Sequence, residues 1–419
     1  MTQRVERVLA DLDDFQPEVE ALYRQLHAHP ELSMREHETA GRMSSWLERL
    51  GYEVHHVGGG VVGILRNGPG PCVLFRADMD GLPITENSGL DYASTHVTTD
   101  DEGNTVGVMH ACGHDVHMAA AIGAAEALVR RRDAWSGTYI ALFQPAEETL
   151  TGAQAMVDAG LAEVIPRPTV ALGQHVLPVC AAGEVATSPG PVMSTNTSVR
   201  ITVYGLGAPG AMAYLGVDPI VLASSIVVRL QSIVAREIPP AQFGLVTVGA
   251  IHAGSKSTII PDHAELLVSL RAYQPHIRQT LIKAIERVVR GECMAAGTPI
   301  EPVFEYYDSC PGTDNHPRIE AVVRRAFVEH FGTGRVHPLP PAPASEDFSV
   351  IPDALGVPYT YWAIGSHLPG QPAVPNHDPT FAPPLQPTLR NGVEAALVAS
   401  LAFLAEPAEP AEHEQAPAS

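Results

Sequence analysis

Apolar positions recur at helical spacing over residues 18–31 and 36–50, with Pro30 breaking the first run and Gly51 stopping the second, which predicts two packing helices near the amino terminus. Short apolar runs at 61–66 and 71–77, separated by the turn-forming Asn67-Gly-Pro-Gly70, predict two strands. The second strand runs into Asp78-Met-Asp-Gly-Leu-Pro83, and the residues that follow to 108 are polar and turn-like. An alanine-rich helix is expected at 118–132, then strands at 138–143 and 169–173 that end in Gln144-Pro-Ala-Glu-Glu148 and Gln174-His-Val176. Strand, polar stretch and helix in repetition predict an α/β domain with a mostly parallel sheet covered by helices. Sites in such sheets lie beyond the carboxyl ends of the strands.

After residue 196 the pattern changes. A strand at 197–204, a helix from Pro219 to about 237 capped by Asp218, strands at 244–251 and 264–272, a helix at 276–296 and a strand at 300–306 follow the β-α-β-β-α-β order of a ferredoxin-like unit. The expected organisation is a catalytic domain over 1–192, an inserted α+β lid over 193–306, and the rest of the catalytic domain over 307–405. That last part holds a helix at 318–331, a strand at 357–364 and a closing helix at 385–404. Residues 406–419, rich in Pro, Glu and Ala, read as a disordered tail.

A length of 419 residues agrees with two domains. With 45% hydrophobic and 17% charged residues the balance is that of a globular protein. The apolar runs at 118–129 and 395–404 are too short or too interrupted to span a bilayer, and the amino terminus lacks the apolar core of a signal peptide. No membrane partner is expected, and the cytoplasm is the expected location. A net charge of −21 argues against nucleic acid and anionic lipid as partners. Five scattered cysteines are unlike a disulfide framework and read as reduced thiols.

The chemistry concentrates in Met109-His-Ala-Cys-Gly-His-Asp-Val-His-Met118, where Cys112 and His114 flank Gly113 and can address one small centre. Glu147 and Glu148 close one strand, His175 another, and His377 lies in a proline-rich loop. Successive side chains of extended backbone diverge, so one glutamate can ligate metal while the other moves a proton. Cys112, His114, Glu148, His175 and His377 suffice for two ions if one ligand bridges, and two such ions imply hydrolysis of an amide or similar acyl bond. His27 and His29 would point to different faces of their helix and read as structural.

Arg76-Ala-Asp-Met-Asp-Gly-Leu-Pro83, His110-Ala-Cys-Gly-His-Asp-Val-His117, Phe143-Gln-Pro-Ala-Glu-Glu148, Gly173-Gln-His175, Ser345-Glu-Asp-Phe348 and Asn376-His377 together resemble the motif series of the M20 metallopeptidase family. The resemblance is to the amidohydrolase branch, with its hippurate hydrolases, N-acyl-amino-acid deacylases and auxin-conjugate hydrolases, and covers about residues 20–405. It implies two divalent ions, often zinc or manganese, with cobalt or nickel as substitutes, and a lid that mediates homodimerisation. By position it makes Cys112, His114, Glu148, His175 and His377 the ligands, with Cys112 bridging, and Glu147 the general base. Asp80 matches an orienting carboxylate, whereas Asp78 and Asp115 fit equally well as caps of a loop or helix. Arg271 matches an arginine placed near the substrate carboxylate, so N-acyl amino acids or dipeptides are the expected substrates.

The lid departs from that pattern. In Gly205-Leu-Gly-Ala-Pro-Gly-Ala-Met-Ala-Tyr-Leu-Gly-Val-Asp-Pro219, Pro209 and Tyr214 stand where the family has histidines, and Thr258 replaces an asparagine. The histidine missing at 209 is one that, in dimeric relatives, reaches a neighbouring site to stabilise the oxyanion. Proline has no side-chain donor, so Tyr214, Thr258 or the metals are expected to serve the substrate instead. The competing expectation is a weakly active or inactive member that binds metal and ligand without efficient turnover.

Overall fold

The computed structural model describes residues 2–406, so the tail expected at 406–419 lies outside the described residues except for Glu406. Four central strands run parallel in the order Gly137–Gln144, Cys72–Asp78, Val170–Ala181 and Tyr359–His367. The edges reverse direction. On one side Gly60–Asn67 pairs antiparallel with Gly137–Gln144, and Glu53–Val57 pairs antiparallel with Gly60–Asn67 because the Gly58-Gly59 connection is long enough for a hairpin and far too short for a parallel crossover. On the other side Val185–Ala186 pairs antiparallel with Tyr359–His367, and Val336–His337 completes the sheet of eight strands.

Every residue of Cys72–Asp78 is buried, as expected for a strand covered on both faces. The alternation shows which side each residue serves. Val73, Phe75 and Ala77 enter the core beneath the helices His114–Arg130 and Leu385–Leu401, whereas Cys72 and Leu74 pack with Leu142, Ile351 and Phe348 on the opposite face. Val170–Ala181 continues well past residue 173, since its parallel partner offers a matching backbone through Ala363 opposite His175. His175 therefore belongs to the strand rather than to the loop after it. Helices at Thr2–Leu9 and Gly152–Asp158 and the small hairpin of Val97–Thr99 with Thr105–Gly107 occupy stretches whose apolar pattern was silent.

The lid sheet has the order Gly244–Ala253, His263–Ala272, Thr195–Tyr204, Val303–Cys310, antiparallel throughout, with the helices Pro219–Glu237 and Pro275–Ala296 packed on it. This is the ferredoxin-like arrangement. The Asp218 carboxylate accepts from the amides of Ile220 and Val221, the expected cap. The last lid strand runs past residue 306 to Cys310 before Thr313–Asn315 rejoins the catalytic part by pairing with Gly190–Met193. Among the described residues one helix, Pro219–Glu237, is long and apolar enough to cross a membrane. It buries Leu222, Ile226, Leu230 and Ile233 against the lid sheet.

Candidate metal centre and active site

The helix His114–Arg130 begins at His114, earlier than its apolar run, because Gly113 turns the chain at φ 80°. A Cβ on Gly113 would meet Val176 Cγ1 at 2.2 Å, so the turn between Cys112 and His114 requires glycine. His114 Nδ1 lies 2.9 Å from the Asp80 carbonyl and 3.2 Å from its Oδ1, which makes it the protonated nitrogen. Nε2 is then left as a buried lone pair with no hydrogen-bond partner. Glu148 Oε1, 3.8 Å away, is a second buried atom without a partner. Two unsatisfied acceptors facing one another across a buried gap fit a cation between them.

The remaining expected ligands converge on the same place. Cys112 Sγ lies 3.4 Å from His175 Nε2 and 3.3 Å from His377 Nε2, and His377 Nε2 lies 3.3 Å from Glu148 Oε2. Cys112, Glu148 and His377 form one cluster of donor atoms and His114 and His175 belong to another, with the Cys112 thiol between His175 and His377. His175 Nδ1 is 2.9 Å from the Val176 carbonyl, which assigns its proton there and turns the Nε2 lone pair inward. Asn376 Nδ2 donates to the carbonyls of Val176 at 3.1 Å and Cys112 at 3.3 Å, tying the two ligand-bearing segments together. Burial and then Glu148 raise the Cys112 thiol well above its ordinary pKa. Burial also raises Glu147, which faces Glu346, Glu148 and Asp347. Burial thus holds these groups neutral, so ionising them calls for positive charge nearby, and the sulfur, imidazole and carboxylate donors suit zinc-type ions.

Several groups around the centre went unassigned from sequence. His117 completes a cluster with Asp78, His114 and His175, but both its nitrogens are engaged, one 2.5 Å from Asp78 Oδ1 and the other accepting from the Val176 amide at 2.8 Å. It orients its neighbours. The spacing of three from His114 would have placed both rings on one helix face. Arg76, fully buried, donates to Asp78 at 2.7 Å, Glu346 at 2.8 Å and Gln144 at 2.9 Å. Its guanidinium joins the strand behind the histidines to the Ser345-Glu-Asp-Phe348 loop behind Glu147. A charge inside an otherwise apolar strand was the signal available. His27 is likewise buried, its nitrogens 2.7 Å from Asp115 and 2.9 Å from Glu86, which gives Asp115 a structural partner away from the ligands.

A cleft of about 470 Å³ opens above Cys112, Glu147, Glu148, His175 and His377, walled by Leu150, Leu177, Met193, Pro343 and Ala344. Arg271 also lines it, its Nη1 held by the Pro343 carbonyl at 3.0 Å and Ser345 Oγ at 2.7 Å. Asp80 supports the floor, accepting from Ser33 and from the Glu148 amide. Tyr214 and Thr258 do not line this cleft. Tyr214 is 83% exposed on the lid turn Gly210–Leu215, and Thr258 is exposed beside the short pairing of Ala208–Pro209 with Ile259–Ile260.

Residues 74–399 match the model of peptidase family M20/M25/M40. The chain belongs to that family. Among relatives of this M20 chain, thermostable carboxypeptidase 1 of Saccharolobus solfataricus is 33% identical over 384 residues, 90% of this chain and 93% of the relative. Hippurate hydrolase of Campylobacter jejuni is 34% identical over 81% of this chain and 86% of its own length. A solved dinuclear metal-binding M20 peptidase from Bacillus subtilis superposes with a TM-score of 0.77 at 28% identity, covering 93% of this chain and 99% of that one. The M20 chain is accordingly a metal-dependent hydrolase of amide bonds.

Proposed function

We propose that the protein hydrolyses the amide bond of N-acyl amino acids, or of similar small amides such as dipeptides. The observation that carries this reading is the position of Glu147 in the cleft. This buried carboxylate has Oε2 3.9 Å from His114 Nε2 and shares the cleft lining with the ligand set and Arg271. Cys112, His114, Glu148, His175 and His377 would hold two divalent ions, zinc or manganese, with cobalt or nickel accepted by the same donors. Bound there, the ions would supply Lewis acidity to the scissile carbonyl and lower the pKa of water. Glu147 takes the proton released by the attacking water and returns it to the amide nitrogen as the C–N bond breaks. Asp80 keeps His114 and the Glu148 backbone in place. Arg271 receives the substrate carboxylate, its guanidinium plane fixed by Pro343 and Ser345.

In an assay of purified protein against a panel of N-acyl amino acids and dipeptides with added Zn²⁺, Mn²⁺ or Co²⁺, turnover is expected for acyl substrates bearing a free α-carboxylate. It should fall when that carboxylate is amidated. Full metal loading with no turnover across the panel would support the alternative of a binding protein with an altered lid.

We also propose that the cytoplasm is the protein's location and that its partner is a second copy docked through the lid. Val221 and Val228 on the helix Pro219–Glu237, the latter 74% exposed, lie outside the lid core and flank a surface groove that Glu292 of the second lid helix also lines. Light scattering is expected to give twice the chain mass of 44.6 kDa, and a value near that mass would remove the proposal.

A further inference from the structure

Glu36 precedes the helix His37–Arg49 and is only 4% exposed. It does not cap that helix with its side chain. The first amides, of Glu38 and Thr39, are taken by the carboxylate of Glu31. Glu36 instead reaches across the fold, and its Oε1 accepts from the Ala146 amide at 2.8 Å. Ala146 is a non-glycine residue in the left-handed region, at φ 49°, and immediately precedes Glu147 and Glu148. Two residues on, the Glu148 amide donates to Asp80 Oδ2 at 3.0 Å. Two carboxylates from different elements thus grip alternate amides of one turn. The Ala146 carbonyl closes it by accepting from Gly152 at 3.1 Å.

That turn resolves a geometric difficulty. Successive side chains on extended backbone point to opposite sides, yet Glu147 and Glu148 each bring an oxygen within 4 Å of His114 Nε2, at 3.9 and 3.8 Å. Glu147 and Glu148 lie in a turn and not on extended backbone, the Leu150 amide donating to the Glu147 carbonyl at 2.8 Å, and Ala146 enters that turn in a left-handed conformation that is disfavoured for a side chain unless its surroundings hold it. We propose that Glu36 is a positioning residue for the Glu147–Glu148 turn, its carboxylate holding the Ala146 amide and so the backbone that directs both side chains to one centre. The inference rests on the role given above to Glu147. Burial and Asp80 raise the Glu36 carboxyl to about 7, and either protonation state keeps an oxygen able to accept.

The test compares Glu36→Met, which fills a similar space without an acceptor, with Glu36→Gln, which keeps one, each measured beside Glu147→Gln. For Glu36→Met assayed at saturating metal, kcat is expected to fall about 10- to 100-fold with KM changed less than about 3-fold, and metal affinity is expected to weaken as well, because the same turn carries Glu148. Glu36→Gln should recover most of kcat, and both variants should unfold cooperatively. Wild-type kcat in Glu36→Met, a loss of kcat that excess metal restores completely, or Glu36→Gln as poor as Glu36→Met would each overturn the assignment. Normal turnover by Glu147→Gln would instead remove the role of Glu147, whatever the Glu36 variants do.

Discussion

Replacing Glu147 by glutamine is expected to lower kcat by about 100- to 10,000-fold while the protein keeps its metal. The amide has the shape of the carboxylate and lacks only the ability to take up a proton. Glu147 has no place among the five proposed ligands, and its Oε2 stands 3.9 Å from His114 Nε2. Metal content measured by mass spectrometry should therefore match the wild type. KM should change little, because Arg271 and the apolar walls of the cleft are untouched. The fold should tolerate the change, since burial and the neighbouring Glu346, Glu148 and Asp347 already favour an uncharged group at this position. Normal hydrolysis of N-acyl amino acids by this variant would sink the mechanism.

The parts of this site legible in the sequence were those carried by local pattern. The presence of the strands, the order of lid elements and the ligand types near them can all be read within short windows. Cys112, His114, Glu148, His175 and His377 were identifiable for that reason, and they converge in the structure. The residues that hold them were harder to find, because their partners are remote. Glu36 reaches an amide 110 residues away, and Arg76 binds Glu346 across 270 residues. No periodicity reports such contacts. The misplaced end of the strand holding His175 has a similar cause, for its continuation depends on a neighbour supplied by residues 359–367.

The lid shows the opposite limit. Its departures at Pro209, Tyr214 and Thr258 are plain in the sequence, but the chain folds them onto an exposed turn and hairpin away from its own cleft. Their contribution to a substrate then depends on whether another chain presents them. Within one chain, the neutral or cationic side-chain donors lining the cleft beside the proposed ligands are, among the described residues, Arg271, Ser345 and Asn376. Arg271 donates through Nη1 to Ser345 and keeps its other N–H groups for the proposed substrate carboxylate, and Asn376 is committed to the carbonyls of Cys112 and Val176. Oxyanion stabilisation inside a single chain would therefore fall chiefly to the ions.

His114→Ala is expected to abolish turnover by a different route, through loss of metal. The His114 ring is fixed from behind by Asp80 and presents a buried, unpartnered Nε2 to the centre. Alanine removes that donor without introducing a clash. It also leaves Asp78 and Asp80 facing the space the ring filled, which makes water and protons strong competitors for the site. Disturbing only the groups that orient a ligand commonly costs about 10- to 100-fold in metal affinity, so removing the ligand itself should cost more. Metal analysis after dialysis should find the variant depleted of at least one ion, whereas Glu147→Gln dialysed alongside keeps both. Excess Zn²⁺ or Mn²⁺ should restore activity to His114→Ala in part at most and leave Glu147→Gln inactive. Full metal content in His114→Ala would show that His114 is no ligand, and the donor set would then have to be drawn without it.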